Sequence, residues 1–403
     1  MKIKKIFIAL FLLIILFPIN VFAGEEPPTL SAQAVYLIDN KTNKVLYSKN
    51  ANKKMYPAST TKILTAILAL ENCNLDDVIT ANYDAIISIP DGYSTANIQI
   101  GEQLTVEQLL QLLLVYSAND AANVLAQHIG GSIESFVSMM NTKLNELGLS
   151  NSHFTNTYGK HDKNHYTTAH DLAILMQYCM KNDTFRKIAG SASCAIPATN
   201  KSSERLYTST NELLIPNNKH YYSYLTAGKT GFTSQAKNCL VSSGYKNNLE
   251  LICVVLGCDV NTYSRFTETK TLYEYAYSNF SIRTIFEQND IGYKIEVSNA
   301  TDDTKNLDLL IDETVSVLVK NSDFNDGFTP EISLNENISA PIFEGDVLGE
   351  ISYTIDGVEY SCDLIASNDV EKSKIVFYLI YGFIALVFMV LIIIAIYKLA
   401  KKE

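Results

Sequence analysis

Two sets of strand-like segments that lie far apart in the chain, with helical periodicity between them, constrain its fold more than any other feature. Ala34 to Ser48 alternates apolar and polar residues on both sides of Asn40-Lys41-Thr42-Asn43, the pattern of a hairpin. Strand character returns only much later, at Leu225 to Thr230, Asn238 to Tyr245 and Glu250 to Asp259. The intervening chain repeats its apolar residues at helical spacing. One helix is predicted to begin close to Ser59, because Pro57 suits a helix entrance and Ile63, Leu64, Ile67, Leu68 and Leu70 follow at that spacing. Thr105 and Gln108 form a capping box, with Leu104 and Leu109 placed as a hydrophobic staple, so a second helix is expected from Val106 to about Val115. Further helices are expected over 120–129, stopped by Gly130-Gly131, over 133–147, stopped by Gly148, over 169–181 after Thr167-Thr168, and over 263–280. Strands at both ends of a helical block predict one α+β domain, about residues 29–281, in which distant segments complete an antiparallel sheet with helices packed on it.

From Ile282 to about Asp369 the pattern changes to short alternating runs with turn signals such as Asp356-Gly357, which predicts a small all-β domain followed by a polar linker. Both ends of the chain are apolar. Lys2, Lys4 and Lys5 precede the apolar run from Ile6 to Phe17, and small Ala23 follows, the layout of a signal peptide over residues 1–23. Ile375 to Tyr397 holds no charged residue, and at about 1.5 Å of rise per residue a helix of that length crosses a bilayer. Lys398, Lys401 and Lys402 behind it suit a short cytoplasmic tail, residues 398–403, and place the body of the chain outside the cell membrane as a single-pass protein.

The net charge of -11 and the lack of a basic, aromatic-rich stretch argue against a nucleic-acid partner. Seven cysteines carry no CxxC pair, so zinc-ribbon and thioredoxin-like readings fail and no pairing can be assigned. His153, His161, His165 and His170 follow no ligand spacing, and neither a metal nor another cofactor is expected.

The chemistry is carried by short motifs. Ser59 and Lys62 are three residues apart, so on a helix both side chains share one face, within hydrogen-bonding reach. A lysine can take the proton of a serine nucleophile only when neutral, which needs burial or a second positive charge, and Lys229 is a candidate for that charge. Ser-x-x-Lys also occurs at Ser234–Lys237 and Ser243–Lys246, and Ser-x-Asn at Ser209–Asn211 and Ser333–Asn335, so no single motif is specific. The ordered set is: Ser59-x-x-Lys62 at a helix start, Ser117-x-Asn119 after a capped helix, and Lys229-Thr230-Gly231 on a strand.

With Tyr56-Pro57-Ala58, Tyr116-Ser117-Ala118-Asn119-Asp120, His165-Tyr166-Thr167-Thr168-Ala169 and Lys229-Thr230-Gly231-Phe232-Thr233, the chain resembles the D-alanyl-D-alanine carboxypeptidases, low-molecular-mass penicillin-binding proteins of serine peptidase family S11. The resemblance implies the penicillin-binding-protein and β-lactamase-like transpeptidase fold, an antiparallel sheet flanked by helices, and removal of the terminal D-alanine from peptidoglycan stem pentapeptides. It also implies penicillin sensitivity and roles for individual residues. Ser59 would be the acyl-ester nucleophile, Lys62 its base, and Ser117 a relay to the leaving amine. Asn119 would position the substrate or Lys62, Lys229 and Thr230 would bind the terminal carboxylate, and Gly231 would let substrate lie close to the strand. The backbone N–H groups of Ser59 and Phe232 would form the oxyanion hole.

One departure stands out: after Asn156 the chain reads Thr157-Tyr158-Gly159-Lys160 where the family usually has Pro-His-Gly-Leu. Two rival readings share the motifs. A class A β-lactamase deacylates with a glutamate between the second and third motifs, and no glutamate lies between Leu147 and Ser203. A wall-binding or antibiotic-sensing module would be acylated without turning over.

Overall fold

The computed structural model describes residues 26–260, 263–324 and 329–401, so the expected signal peptide lies outside the described residues. The chain divides into two compact units, one of Met1–Ser281 with Lys320–Ser322, the other of Ile282–Val319 with Asp323–Glu403.

The first unit is built on a five-stranded antiparallel sheet. Its strands are β1 (Ala34–Asp39), β2 (Val45–Lys49), β3 (Leu225–Thr233), β4 (Lys237–Lys246) and β5 (Leu249–Cys258), in the spatial order β2-β1-β5-β4-β3. The early hairpin therefore joins the late strands directly, with Leu37 opposite Cys253. Leu251 to Cys258 is buried at every position, even and odd, because both faces of this central strand are covered. On one face Ile252, Val254 and Leu256 join the main core, while on the other Ser242 of β4 meets the Tyr273 hydroxyl of α6 (Ser264–Asn279).

The helices of the middle segment are α1 (Lys62–Asn72), α2 (Val106–Gln111), α3 (Asn119–Gly130), α4 (Ile133–Glu146) and α5 (Ala169–Cys179). The Thr105–Gln108 capping box forms at α2 with both of its reciprocal bonds. α1 is almost wholly buried along Lys62 to Ala69, and α3 likewise along Asn119 to Ala126, so the two motif-bearing helices lie in the core rather than on it. Two local details depart from the expected pattern. Ala58–Thr61 forms a 3₁₀ turn ahead of α1, so Ser59 sits in the lead-in turn, not in the first α-helical one. The helix after Thr105 widens into a π-helical turn at Leu112–Tyr116, and Ser117 closes it in the left-handed region at φ 71°. Short pieces with weak periodicity, Tyr83–Ile87 and Asp183–Ala189 among them, are helices that the pattern does not reveal.

In the second unit, β6 (Ile291–Glu296), β7 (Asn306–Ile311), β8 (Glu331–Leu334), β9 (Val347–Ile355) and β10 (Val358–Ala366) form an antiparallel sheet in the order β6-β7-β10-β9-β8. Leu307, Leu309, Ile351 and Leu364 anchor a separate core. Helix α7 (Ile375–Ala400) follows, and within it Phe377–Lys398 is long and apolar enough to cross a membrane, with a mean hydropathy of 3.1.

Candidate active site

The turn at Pro57–Thr61 is held from three sides, which places Ser59. Ala58 adopts φ +49°, an uncommon conformation for a residue with a side chain. β3 presses against it: a Cβ on Gly231 would come within 2.8 Å of Pro57 O and 3.1 Å of Ser59 N. From the opposite direction Gly159, at φ +92°, approaches so closely that any Cβ would run into the Ala58 carbonyl. Only glycine fits either contact, so strand and loop close on the Ser59 turn backbone to backbone.

The third support is a buried relay. Thr61 donates its hydroxyl to Ala58 O at 2.8 Å, and His165 Nε2 lies 2.8 Å from Thr61 Oγ1. Thr155 N donates to His165 Nδ1 at 3.0 Å, so Nδ1 must be the bare nitrogen and Nε2 carries the hydrogen. Burial pushes this imidazole down to about 3, and its ring stacks on Phe154 at 4.8 Å. An unfolded histidine takes up a proton near pH 6.5, whereas this one resists it. Its contribution to stability is therefore complete above pH 6.5 and is lost as pH falls toward 3, with a slope of up to about 1.4 kcal/mol per pH unit. Between pH 6.5 and 5 wild type is expected to lose about 1.6 kcal/mol more than His165→Gln in chemical denaturation. Parallel pH slopes for the two proteins would rule this out.

Lys62 is fully buried and its Nζ has three oxygen neighbours. These are Ser59 Oγ at 2.9 Å, Asn119 Oδ1 at 2.6 Å and the Tyr158 carbonyl at 3.1 Å. Burial first, then the charge of Lys229, holds its pKa well below that of a free lysine, against an opposing pull from Asp120. Lys229 is buried too, donates to Thr230 O at 3.0 Å, and is pushed down to about 7 by burial and by Arg265. It does not line the cleft. Asp120, next to Asn119, accepts from Ala96 N and Ile98 N, both at 3.0 Å, and Asn119 N donates to Ser94 O at 2.9 Å. The segment carrying Tyr93 and Ser94 is thereby bound to the start of α3.

These elements enclose a cleft of about 660 Å³. It brings together Ser59, Ser117, Asn119, Thr230, Gly231 and Phe232 of the expected set, with Phe232 exposed on its rim. Thr230 shares a 2.6 Å hydroxyl contact with Thr210. Sequence motifs do not point to Tyr93, Tyr158, His161, Thr210 and Arg265, which also line it. Thr210 lies inside one of the competing Ser-x-Asn matches, yet it is the middle residue that faces the cleft. The competing Ser243–Lys246 match sits in β4, where residues three apart point to opposite faces. Of the other histidines, His153 Nδ1 lies 2.7 Å from Asn164 O and His170 Nδ1 3.1 Å from Asp171 Oδ1. All seven cysteines are free thiols.

The family model for D-alanyl-D-alanine carboxypeptidase, peptidase S11, matches residues 21–260, and that for the C-terminal domain of penicillin-binding protein 5 matches residues 280–372. The D-alanyl-D-alanine carboxypeptidase DacF of Bacillus subtilis is 31% identical over 380 residues, 91% of this chain and 94% of its own. The DacA enzyme of Haemophilus influenzae is 31% identical over 377 residues, 87% of this chain and 88% of its own. Among solved structures, penicillin binding protein 5 from Haemophilus influenzae superposes with a TM-score of 0.64 at 28% identity, covering 87% of this chain and all, 100%, of that one. The two motif-bearing helices, the antiparallel sheet and the β-rich second unit thus belong to a known architecture, and the chain is a member of the S11 family of serine-type D-alanyl-D-alanine carboxypeptidases.

Proposed function

We propose that this protein removes the terminal D-alanine from peptidoglycan stem pentapeptides through an acyl-enzyme on Ser59, and that β-lactams trap the same serine. The observation that carries the reading is the contact set of Lys62. Asn119 Oδ1 and the Tyr158 carbonyl can only accept, so they take two N–H bonds, and a neutral amine has one lone pair left, directed at the Ser59 hydroxyl. Burial and Lys229 favour that neutral form. Lys62 then withdraws the Ser59 proton as the oxygen attacks the carbonyl carbon of the penultimate D-alanine. The proton passes by way of Ser117 to the leaving D-alanine nitrogen, and water regenerates Ser59 with Lys62 again as base.

The backbone N–H groups of Ser59 and Phe232 stabilise the oxyanion, consistent with the contact of β3 against the Ser59 turn. Thr230 and Thr210 offer hydroxyls to the terminal carboxylate, under the positive field of Lys229 and Arg265. No carboxylate lines the cleft among the described residues, which leaves a class A β-lactamase mechanism without its deacylating base. The apolar α7 supports anchoring in the cell membrane as a single-pass protein, and Lys398, Lys401 and Lys402 behind it support a catalytic unit on the extracytoplasmic face.

The test is to incubate the full-length protein with a stem pentapeptide and with penicillin. Free D-alanine from the former and a stable adduct of one penicillin with the latter are expected. An adduct without D-alanine release would replace the enzyme reading with that of a non-turnover sensor.

A further inference from the structure

We infer that the corner of the second unit where the chain leaves for α7, formed by Ser298, Asn299, Ser339 and Lys372–Lys374, rests on the phospholipid headgroups of the membrane that α7 crosses. This inference rests on the reading of α7 as a membrane span.

The polar stretch after β10, expected to be a linker, does not hang free. Val370 is buried in the core of the second unit with Ile342, and the two exchange backbone hydrogen bonds of 2.8 and 3.1 Å. The other edge of the stretch is bonded to a neighbouring turn: Thr301 N donates to Glu371 O at 3.0 Å, and Ser373 N donates to Asn299 O at 2.7 Å. Ser298, next to Asn299, bridges to Ser339. The residue after Ser373 already belongs to the helix, because Lys374 O accepts from Tyr378 N at 3.0 Å. No residue is left over to act as a tether.

That connection fixes a height. Phe377, where the apolar span starts, follows Ser373 by four residues, which at about 1.5 Å of rise each is roughly 6 Å, a distance that tilting only shortens. The headgroup layer is about 5–7 Å deep on each side of the hydrocarbon. Asn299, bonded to Ser373, is therefore held at headgroup level. Tyr378 and Tyr381, in the first turns of α7, have the chemistry of an interfacial belt at the same end. Lys372 and Lys374, both exposed, bring two ammonium groups to the phosphates against the single carboxylate of Glu371.

The sequence contains no tryptophan, so a single one reports without background. Full-length Ser339→Trp is reconstituted into vesicles of phosphatidylglycerol and phosphatidylcholine that carry a nitroxide on the lipid headgroup, and is expected to lose most of its emission. Ser298→Trp, on the facing segment, is expected to do the same and guards against a local distortion at one site. Glu359→Trp is the reference: exposed at the far end of β10, seven residues or about 23 Å from Ala366, it is expected to keep its emission. Phe383→Trp, inside α7, is expected to be quenched by a nitroxide on the acyl chain. Full emission from both corner probes beside a quenched Phe383→Trp overturns the inference and leaves the span standing. Equal quenching of Glu359→Trp overturns it too, because the contact would not be confined to the corner. An unquenched Phe383→Trp removes the span reading and the inference together.

Discussion

Ser59→Ala is expected to abolish covalent labelling by penicillin and to lower D-alanine release by roughly a million-fold, the scale on which a serine hydrolase loses its nucleophile. The change removes one oxygen from a half-buried side chain and leaves Lys62 its bonds to Asn119 and Tyr158. The fold is therefore expected to survive, with a stability change of no more than about 1 kcal/mol. Intact-mass measurement after penicillin treatment reads the result directly. An adduct on the variant would move the nucleophile elsewhere, to Ser117 first, since its hydroxyl lines the same cleft.

Lys62→Arg is the second large effect, with acylation expected to slow by about 10³–10⁴, the upper range for loss of a general base. A guanidinium stays protonated and offers no lone pair to the Ser59 hydroxyl. Lys62→Gln, which keeps hydrogen-bonding groups without basicity, should show the same loss and guards against a packing artefact from the larger arginine. The wild-type pH profile supplies an independent check. Lys62 works as the neutral amine, so acylation rises with pH through its depressed pKa and falls tenfold per unit below it. Lys229 sheds its own charge as pH rises through about 7, weakening the hold on the substrate carboxylate and letting the Lys62 pKa climb. The product is a bell, and both Lys62 variants should lose its acidic limb. An unchanged acidic limb in Lys62→Gln would assign the proton transfer to another group.

Much of the architecture was legible because periodicity is a local record of burial. The hairpin at Ala34, the capped helix after Thr105 and the continuous apolar run of β5 all announce themselves, and the structure places the early hairpin beside β5 as expected. Elements shorter than about two turns, such as Asp183–Ala189, carry too few residues to show a period. The left-handed Ser117 and Ala58 escape pattern reading for a different reason. Tertiary contacts hold those conformations against their local cost.

The site divides in the same way. Residue order alone singles out Ser59, Lys62, Ser117, Asn119 and the Lys229-Thr230-Gly231 strand, because the chemistry needs those side chains at helical or strand spacing. What no motif could supply is the environment that makes them reactive. The depressed pKa of Lys62 depends on burial and on Lys229 from a strand far along the chain, and its Nζ is oriented by the Tyr158 carbonyl from a loop between them. The Ser59 turn is clamped by Gly159, Gly231 and the His165 relay, which meet only after the sheet has closed. Arg265 reaches the cleft from the start of α6, a helix whose pattern says nothing of a site, and His161 from a loop with no recognisable pattern. Spacing along a chain specifies which groups share a face, whereas desolvation and electrostatic fields depend on everything packed around that face. The sequence by itself therefore determined the candidate groups and the strands that complete the sheet, and only the tertiary structure decided their burial, the charges around them and the shape of the cleft.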